Sequence, residues 1–211
     1  VPEITLILPF KTSSMATASE AEIADVIRKD RAVDYALEFY SGALMALDSL
    51  KTLGISAKVR VLDSQADEKE VARLFYENTF QTTDAVIGPL LPKTFNIVAE
   101  KLEAIEVPVF SLVGSDNFTN RGNVFLTYPG AKAISVKMKN YIRTNRDGAN
   151  LIIITDLKHE AASRELQLQF EGSKLLKPHK DKFIRIEDVQ HLLLKNQPNW
   201  ILLETTEISL I

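Results

Sequence analysis

The polar residues with the strongest positional claim to a role lie just past short apolar runs. Gly88-Pro89 follows Asp84-Ala85-Val86-Ile87, and Gly114-Ser115 follows Val107-Pro108-Val109-Phe110-Ser111-Leu112. Runs of this length rich in Val predict buried strands. In open α/β sheets ligands bind outside the carboxyl ends of the strands. Glycines there also shape strand-to-helix turns, and position alone does not separate the two roles. Asp63, Asp156 and Glu204 end further runs. A receiver-type Mg2+ site would need clustered carboxylates at the end of the first strand. That run ends Leu8-Pro9-Phe10-Lys11, so the three acids are expected to be solvated strand ends. His159, His179 and His191 have no HxxxH-type spacing. They are expected to be exposed rather than to bind zinc.

Other chemistries find no support. GxGxxG, GxxxxGK[ST] and GxSxG are all absent. The phosphate-cradling loops and the nucleophile elbow therefore have no sequence basis. Ser115 with Asp116 has no base that the sequence positions. No catalytic residue, metal or cofactor is expected. Asn117-Phe118-Thr119 matches the N-glycosylation acceptor pattern and is read as a turn. Lys137, Lys139, Arg143 and Arg146 fall on one predicted helix and its end, and are read as a solvated face.

These positions depend on alternating elements. Ile4–Leu8 predicts the first strand. The stretch from Lys11 to Asp30 is polar and is expected to be a long loop, helical only near Ile23, Val26 and Ile27. Asp34–Leu53 predicts a helix, with Ala36, Phe39, Tyr40, Ala43, Leu47 and Leu50 on one face and Gly54 as its stop. Lys58–Leu62 predicts a strand. Asp67 and Glu70 have capping-box-like spacing ahead of Val71, Leu74 and Phe75. Strands at 84–87, 107–112 and 123–127 follow, with a helix over Thr94–Ile105 between the first two. After Pro129-Gly130 a second series begins. It comprises a helix over Ala131–Arg143, a strand over Leu151–Ile154, a helix over Glu160–Lys174, a strand over Lys182–Ile186, a short helix over Asp188–Lys195 and a strand over Trp200–Glu204. Short strands alternating with amphipathic helices imply an α/β fold with parallel sheets flanked by helices. The expected division is a first α/β lobe over 1–129 and a partial second lobe over 130–211.

Composition narrows the function classes. Lys plus Arg is 25 against 28 Asp plus Glu, a net charge of −3, with 45% hydrophobic and 25% charged residues. That is ordinary globular composition rather than disorder, and it lacks the basic footprint of a nucleic-acid binder. No apolar run approaches the length of a transmembrane helix. The chain has no cysteine, which excludes disulfides, thiolate metal sites and thiol catalysis and is compatible with a cell-envelope protein. It begins at Val1, which reads as a removed leader or a cropped segment.

The ordered series Ala85-Val86-Ile87-Gly88-Pro89-Leu90, a helix, Val107-Pro108-Val109-Phe110-Ser111, Asp116–Thr119 and Val124-Phe125-Leu126-Thr127-Tyr128-Pro129 resembles the first lobe of type I periplasmic binding proteins. The likeness is greatest to the branched-chain amino-acid binding and receptor ligand-binding branch. Tyr40-Ser41-Gly42-Ala43 and Val61-Leu62-Asp63-Ser64 fit the same pattern, and the resemblance runs from Ile4 to Glu204. It implies two lobes, a hinge near Asn123–Gly130 and closure on a ligand. It also implies where contacts come from. Val113 matches a position that supplies a backbone carbonyl as acceptor, and Ser115 one that supplies a hydroxyl. Pro92 stands where a hydroxyl is usual, with Thr94 as a substitute. Glu160 is nearest the position of a covering aromatic, and Lys93 or Glu160 would select charge. This supplies only part of the dense hydrogen bonding that a buried zwitterion needs. The implied ligand is therefore something other than a free amino acid, or there is none.

Two readings follow from the resemblance. One is a non-catalytic, periplasmic or envelope-associated module that binds or senses a small molecule, amino-acid or cell-wall-derived, and serves a membrane transporter. The other is a regulatory or scaffold protein that contacts a peptidoglycan synthase through a degenerate binding-protein fold. Modules of this kind include a periplasmic activator of such a synthase and proteins carrying LysM repeats. An enzyme of flavodoxin-like or Rossmann type ranks below both. Two complete lobes need more than 211 residues. The second lobe is thus expected to be truncated, with an exposed apolar edge and a half-built cleft.

Overall fold

The structure, a computed structural model, describes residues 1–179 and 183–207. The first strand, β1 (Glu3–Leu8), is buried from Thr5 onward. A run apolar on both faces belongs in the middle of a parallel sheet. It pairs with β2 (Lys58–Asp63) on one side and β3 (Ala85–Ile87) on the other. Two further parallel strands, β4 (Val109–Ser111) and β5 (Val124–Leu126), complete the order β2-β1-β3-β4-β5.

Alternation along the strands sends side chains to two layers of helix. Ile7, Val86 and Val109 pack with Val71 and Leu74 of α4 (Glu68–Glu77) and with Phe95, Val98 and Leu102 of α5 (Pro92–Glu103). Leu6 and Leu8 face Ala36, Phe39, Tyr40 and Ala43 of α3 (Arg31–Thr52). Helices thus lie on both faces, as right-handed crossovers require. The Asp67 signal is a true cap: its carboxylate accepts from the Lys69 and Glu70 amides.

The stretch between β1 and α3 departs from expectation. It is not a long loop but two helices, α1 (Thr12–Met15) and α2 (Glu20–Lys29). A full capping box starts α2: the Ser19 hydroxyl accepts from Glu22 N, and the Glu22 side chain accepts from Ser19 N. Three half-buried apolar residues, Ile23, Val26 and Ile27, suffice for a surface helix begun this way. Asp30 then caps α3, its carboxylate accepting from Ala32 N and Val33 N.

The second sheet is β7-β6-β8, all parallel, built from β6 (Asn150–Thr155), β7 (Lys174–Leu176) and β8 (Asn199–Glu204). Leu151 and Ile153 pack with Ile142 of α6 (Ala131–Asn145), with Leu166 of α7 (Glu160–Gln169), and with Phe170, Trp200 and Leu202. Three expected elements differ here. The helix from Glu160 stops at Gln169 rather than Lys174, because Gly172 takes a φ of +75° and turns the chain into β7. The strand expected at 182–186 is not there: Phe183–Arg185 has no regular structure and Ile186 opens α8 (Ile186–Gln190), while Lys182 lies outside the described residues. The last helix ends at Gln190, short of Lys195. The Asn199 side chain accepts from Leu194 N and donates to the Leu194 and Gln197 carbonyls, which fixes a turn there.

The chain divides into two compact units, Val1–Ile134 and Ser135–Ile211. On β8, Ile201 and Leu203 are 49% and 43% exposed, an apolar strip on the outer strand of the second sheet. Among the described residues no helix is long and apolar enough to cross a membrane.

Candidate functional site

The crossover from β1 to β2 runs to one side of β1 and the crossover from β2 to β3 returns to the other. Such a reversal opens a crevice outside the carboxyl ends of the two central strands. A hollow of about 940 Å3 lies there. Leu90, Leu91 and Pro92 line it after β3, and Val113, Gly114 and Ser115 after β4. The opposite wall comes from Asp25, Val26 and Lys29 of α2 and from Asp30, Arg31, Ala32 and Tyr35 where α3 begins.

Local chemistry holds each wall. Gly88 leaves β3 at a φ of +88°, and a Cβ there would run into the Ile7 carbonyl. Only glycine makes that exit. Gly114 lies against the 128–130 segment, where an added Cβ would sit 2.5 Å from the Pro129 carbonyl oxygen. Asp116 accepts from Lys132 N at 3.2 Å, and the Thr127 hydroxyl donates to the Ser111 carbonyl at 2.5 Å. The Ser115 hydroxyl oxygen accepts from Asn117 N at 3.1 Å. The Asn117–Thr119 turn is pinned by Asn96, whose amide donates to the Asn117 carbonyl and accepts from Thr119 N. Phe118 packs on Phe95 beneath it, ring centres 4.6 Å apart.

Pro92, Val113 and Ser115 therefore share one hollow. Pro92 is the first residue of α5, where a backbone N–H would have no helical partner, so the missing donor costs nothing there. Thr94 is 2% exposed and its hydroxyl donates to the Leu91 carbonyl at 3.0 Å. It closes the first turn of α5 and is not part of the lining. Lys93 is exposed and outside the lining. Glu160 belongs to the second unit and is paired with Lys177 and Arg164 at 2.6 and 2.7 Å. Those two cations, Lys177 first, hold its carboxyl below the usual range. The α2–α3 wall escaped the sequence reading, although the Ser19-Glu22 box and the Asp30 cap were its signals.

Both carboxylates along that wall are paired. Lys29 pairs with Asp25 at 2.7 Å and Lys11 with Asp30 at 2.5 Å. Lys11 and the Ala32 amide lower the Asp30 carboxyl.

The strand-end acids differ from expectation. Asp63 is half-buried and clamps the α1 start, accepting from Lys11 N, Thr12 N, the Thr12 hydroxyl and Gln65 N. Asp156 is 4% exposed. Its carboxylate accepts from the Thr205 hydroxyl at 2.6 Å, Lys158 N at 2.7 Å and His159 N at 3.0 Å. His159 Nδ1 lies 2.8 and 2.9 Å from the two carboxylate oxygens. His159 is thus half-buried rather than exposed, and His179 pairs with Asp188 at 2.7 Å. A strand-end acid is drawn inward when the following turn aims its amides back at it, and that geometry is not written in residue type. Among the described residues no group of three or more His, Asp or Glu is placed to hold a metal ion.

No protein-family model matches the chain, and no curated protein matches it. Solved structures do. The leucine binding protein LivK from Thermotoga maritima is 17% identical with a TM-score of 0.45, over 84% of this chain and 48% of that one. An ABC transporter substrate-binding protein from Desulfitobacterium hafniense, in complex with Leu, is 16% identical with a TM-score of 0.47, over 90% and 53%. Full-length LpoA from Haemophilus influenzae is 11% identical with a TM-score of 0.47, over 95% of this chain and 38% of that one. The chain thus spans about half the length of these proteins, or less. The chain itself consists of parallel sheets flanked by helices.

Proposed function

We propose that the chain is a non-catalytic ligand-binding or sensing module of the cell envelope, holding a small molecule in the hollow outside β1 and β3. One observation carries this reading: the β3 exit, the β4 exit and the α2–α3 wall converge on a crevice at the reversal of strand order. Its volume falls within the usual range for small-molecule sites, and its walls are mainly apolar with a few polar groups. Ser115 offers a hydroxyl and Val113 its backbone, while Pro92 supplies an apolar contact. A solute-delivery role beside a membrane transporter is the fuller form of the proposal. A screen by thermal shift and 15N–1H correlation spectra over amino acids, small peptides, sugars, carboxylic acids and cell-wall fragments tests it. Stabilisation by a ligand that moves resonances at Leu90–Pro92 and Val113–Ser115 is expected. No ligand shifting either readout would sink the reading.

The second reading is a regulatory or scaffold protein that contacts a peptidoglycan synthase. The exposed Ile201 and Leu203 on β8 favour it, as does the Thr94 hydroxyl, which is engaged within the chain. Co-purification with a synthase that is lost on changing Ile201 and Leu203 to Ser would support it. A monodisperse chain that captures no synthase would count against it.

A further inference from the structure

The charges around the hollow do not all cancel. Both lining carboxylates are engaged: Asp25 pairs with Lys29, and Asp30 pairs with Lys11 while capping α3. Arg31 also lines the hollow, is exposed, and has no ion-pair partner among the described residues. Across from it α5 begins with no side-chain cap. Leu91 has no oxygen to offer its first turn, and Pro92 occupies the first position. The positive end of a helix favours an anion. Ser115 accepts one hydrogen bond and keeps its proton free to donate. Apolar residues also line the hollow: Val26, Ala32, Leu90, Val113 and Tyr35.

An amino-acid zwitterion fits this set poorly. Its carboxylate would meet Arg31 and Ser115, but its ammonium would have to compete with Lys29 for Asp25, since Asp30 already holds Lys11 and caps α3. A buried ammonium without a partner is costly. An anion that lacks the ammonium meets the donors and lays its hydrocarbon on the apolar wall. Resting on the reading that this hollow binds ligand, we propose that it selects a small organic carboxylate with an apolar body and no amino group, and that Arg31 reads the charge. Arginine suits the task because its planar fork matches a carboxylate with two parallel N–H donors.

A matched series tests this on the full chain by titration calorimetry and 15N–1H spectra. The probes are 4-methylpentanoate, 4-methylpentanamide and leucine, which share one hydrocarbon body. The acid is expected to bind about tenfold tighter than the amide, the effect of one charge-assisted hydrogen bond at a half-open site, and also tighter than leucine. Arg31→Gln should bring acid and amide together while leaving the melting temperature unchanged, since Arg31 is exposed and has no ion-pair partner among the described residues. Lys69→Gln on α4 should keep the preference, which separates a specific contact from a general loss of positive charge. Equal binding of acid and amide, tighter binding of leucine, or a preference that survives in Arg31→Gln would each overturn the charge selection and leave the binding reading standing. If none of the three probes moves a resonance in the hollow, the charge selection is overturned, and the wider ligand screen decides the binding reading.

Discussion

Asp156 shows most clearly how a single side chain is set by its surroundings. Hydrogen bonds from the Thr205 hydroxyl, then His159, then the Lys158 and His159 amides, hold its carboxyl well below the usual carboxylate range. A carboxyl depressed in the folded state stabilises the fold above its unfolded value of about 3.9, and that stabilisation is lost as pH falls through the folded value. Asp156→Asn should therefore lower the melting temperature at pH 6. The gap between wild type and variant should narrow as pH falls below about 4, where the carboxyl of the unfolded chain begins to protonate while the folded one stays charged. A gap that stays constant down to pH 2 would show that the carboxylate charge is not what the cluster uses. Residue type alone could not announce this. The sequence marks an acid after an apolar strand, but the partner Thr205 is far along the chain, and only the pairing of β6 with β8 brings the two together. Arg60 is a second case. It donates to the Thr5 and Thr83 hydroxyls and lies 5.0 Å over the Phe80 ring, whereas its place in a β-rich run carries no sign of those partners.

At the scale of elements, strands and long helices were legible because their apolar periodicity is strong, and the Asp67 cap because its acceptor is local. Only part of the α2 helix was legible from periodicity, through Ile23, Val26 and Ile27, although the capping box that starts it was present in the sequence. The box matters because α2 carries Asp25, Val26 and Lys29 into the hollow. Ser19→Ala removes it and should cost about 1 kcal/mol. The helix signal in far-ultraviolet circular dichroism should fall slightly, and any ligand of the hollow should bind more weakly because one wall frays. Unchanged affinity with the expected loss of stability would mean that α2 stands beside the hollow without shaping its function. The exit of β3 makes the opposite demand. Gly88→Ala forces a side chain into a positive φ and against the Ile7 carbonyl. It should destabilise by about 2 kcal/mol or more, read as a lower midpoint in urea. A midpoint within error of wild type would show that the β3 turn has room to shift.

At the scale of the molecule, the two units differ in what they contain. The first unit holds two apolar layers, one against α4 and α5 and one against α3, so its sheet is covered from both sides. Every residue lining the hollow also belongs to it. The second unit builds one main cluster around Leu151, Ile153 and Leu166 on a three-stranded sheet. This asymmetry was visible in the sequence only as a longer first series. The alternation of elements is read from local patterns, but which face of each sheet is covered depends on helix placement. A fragment of residues 1–134 should therefore fold by itself. A chain of that length, with a sheet packed on both faces, is within the ordinary size of an independent domain. Its 15N–1H spectrum should overlay that of the full chain for β1–β5, and a ligand that binds the full chain in this hollow should bind the fragment within about twofold, a difference well under one kcal/mol. A fragment that is unfolded would show that the first unit depends on the rest of the chain for stability. A fragment that folds with native shifts yet loses the ligand would show that residues beyond Ile134 complete the site.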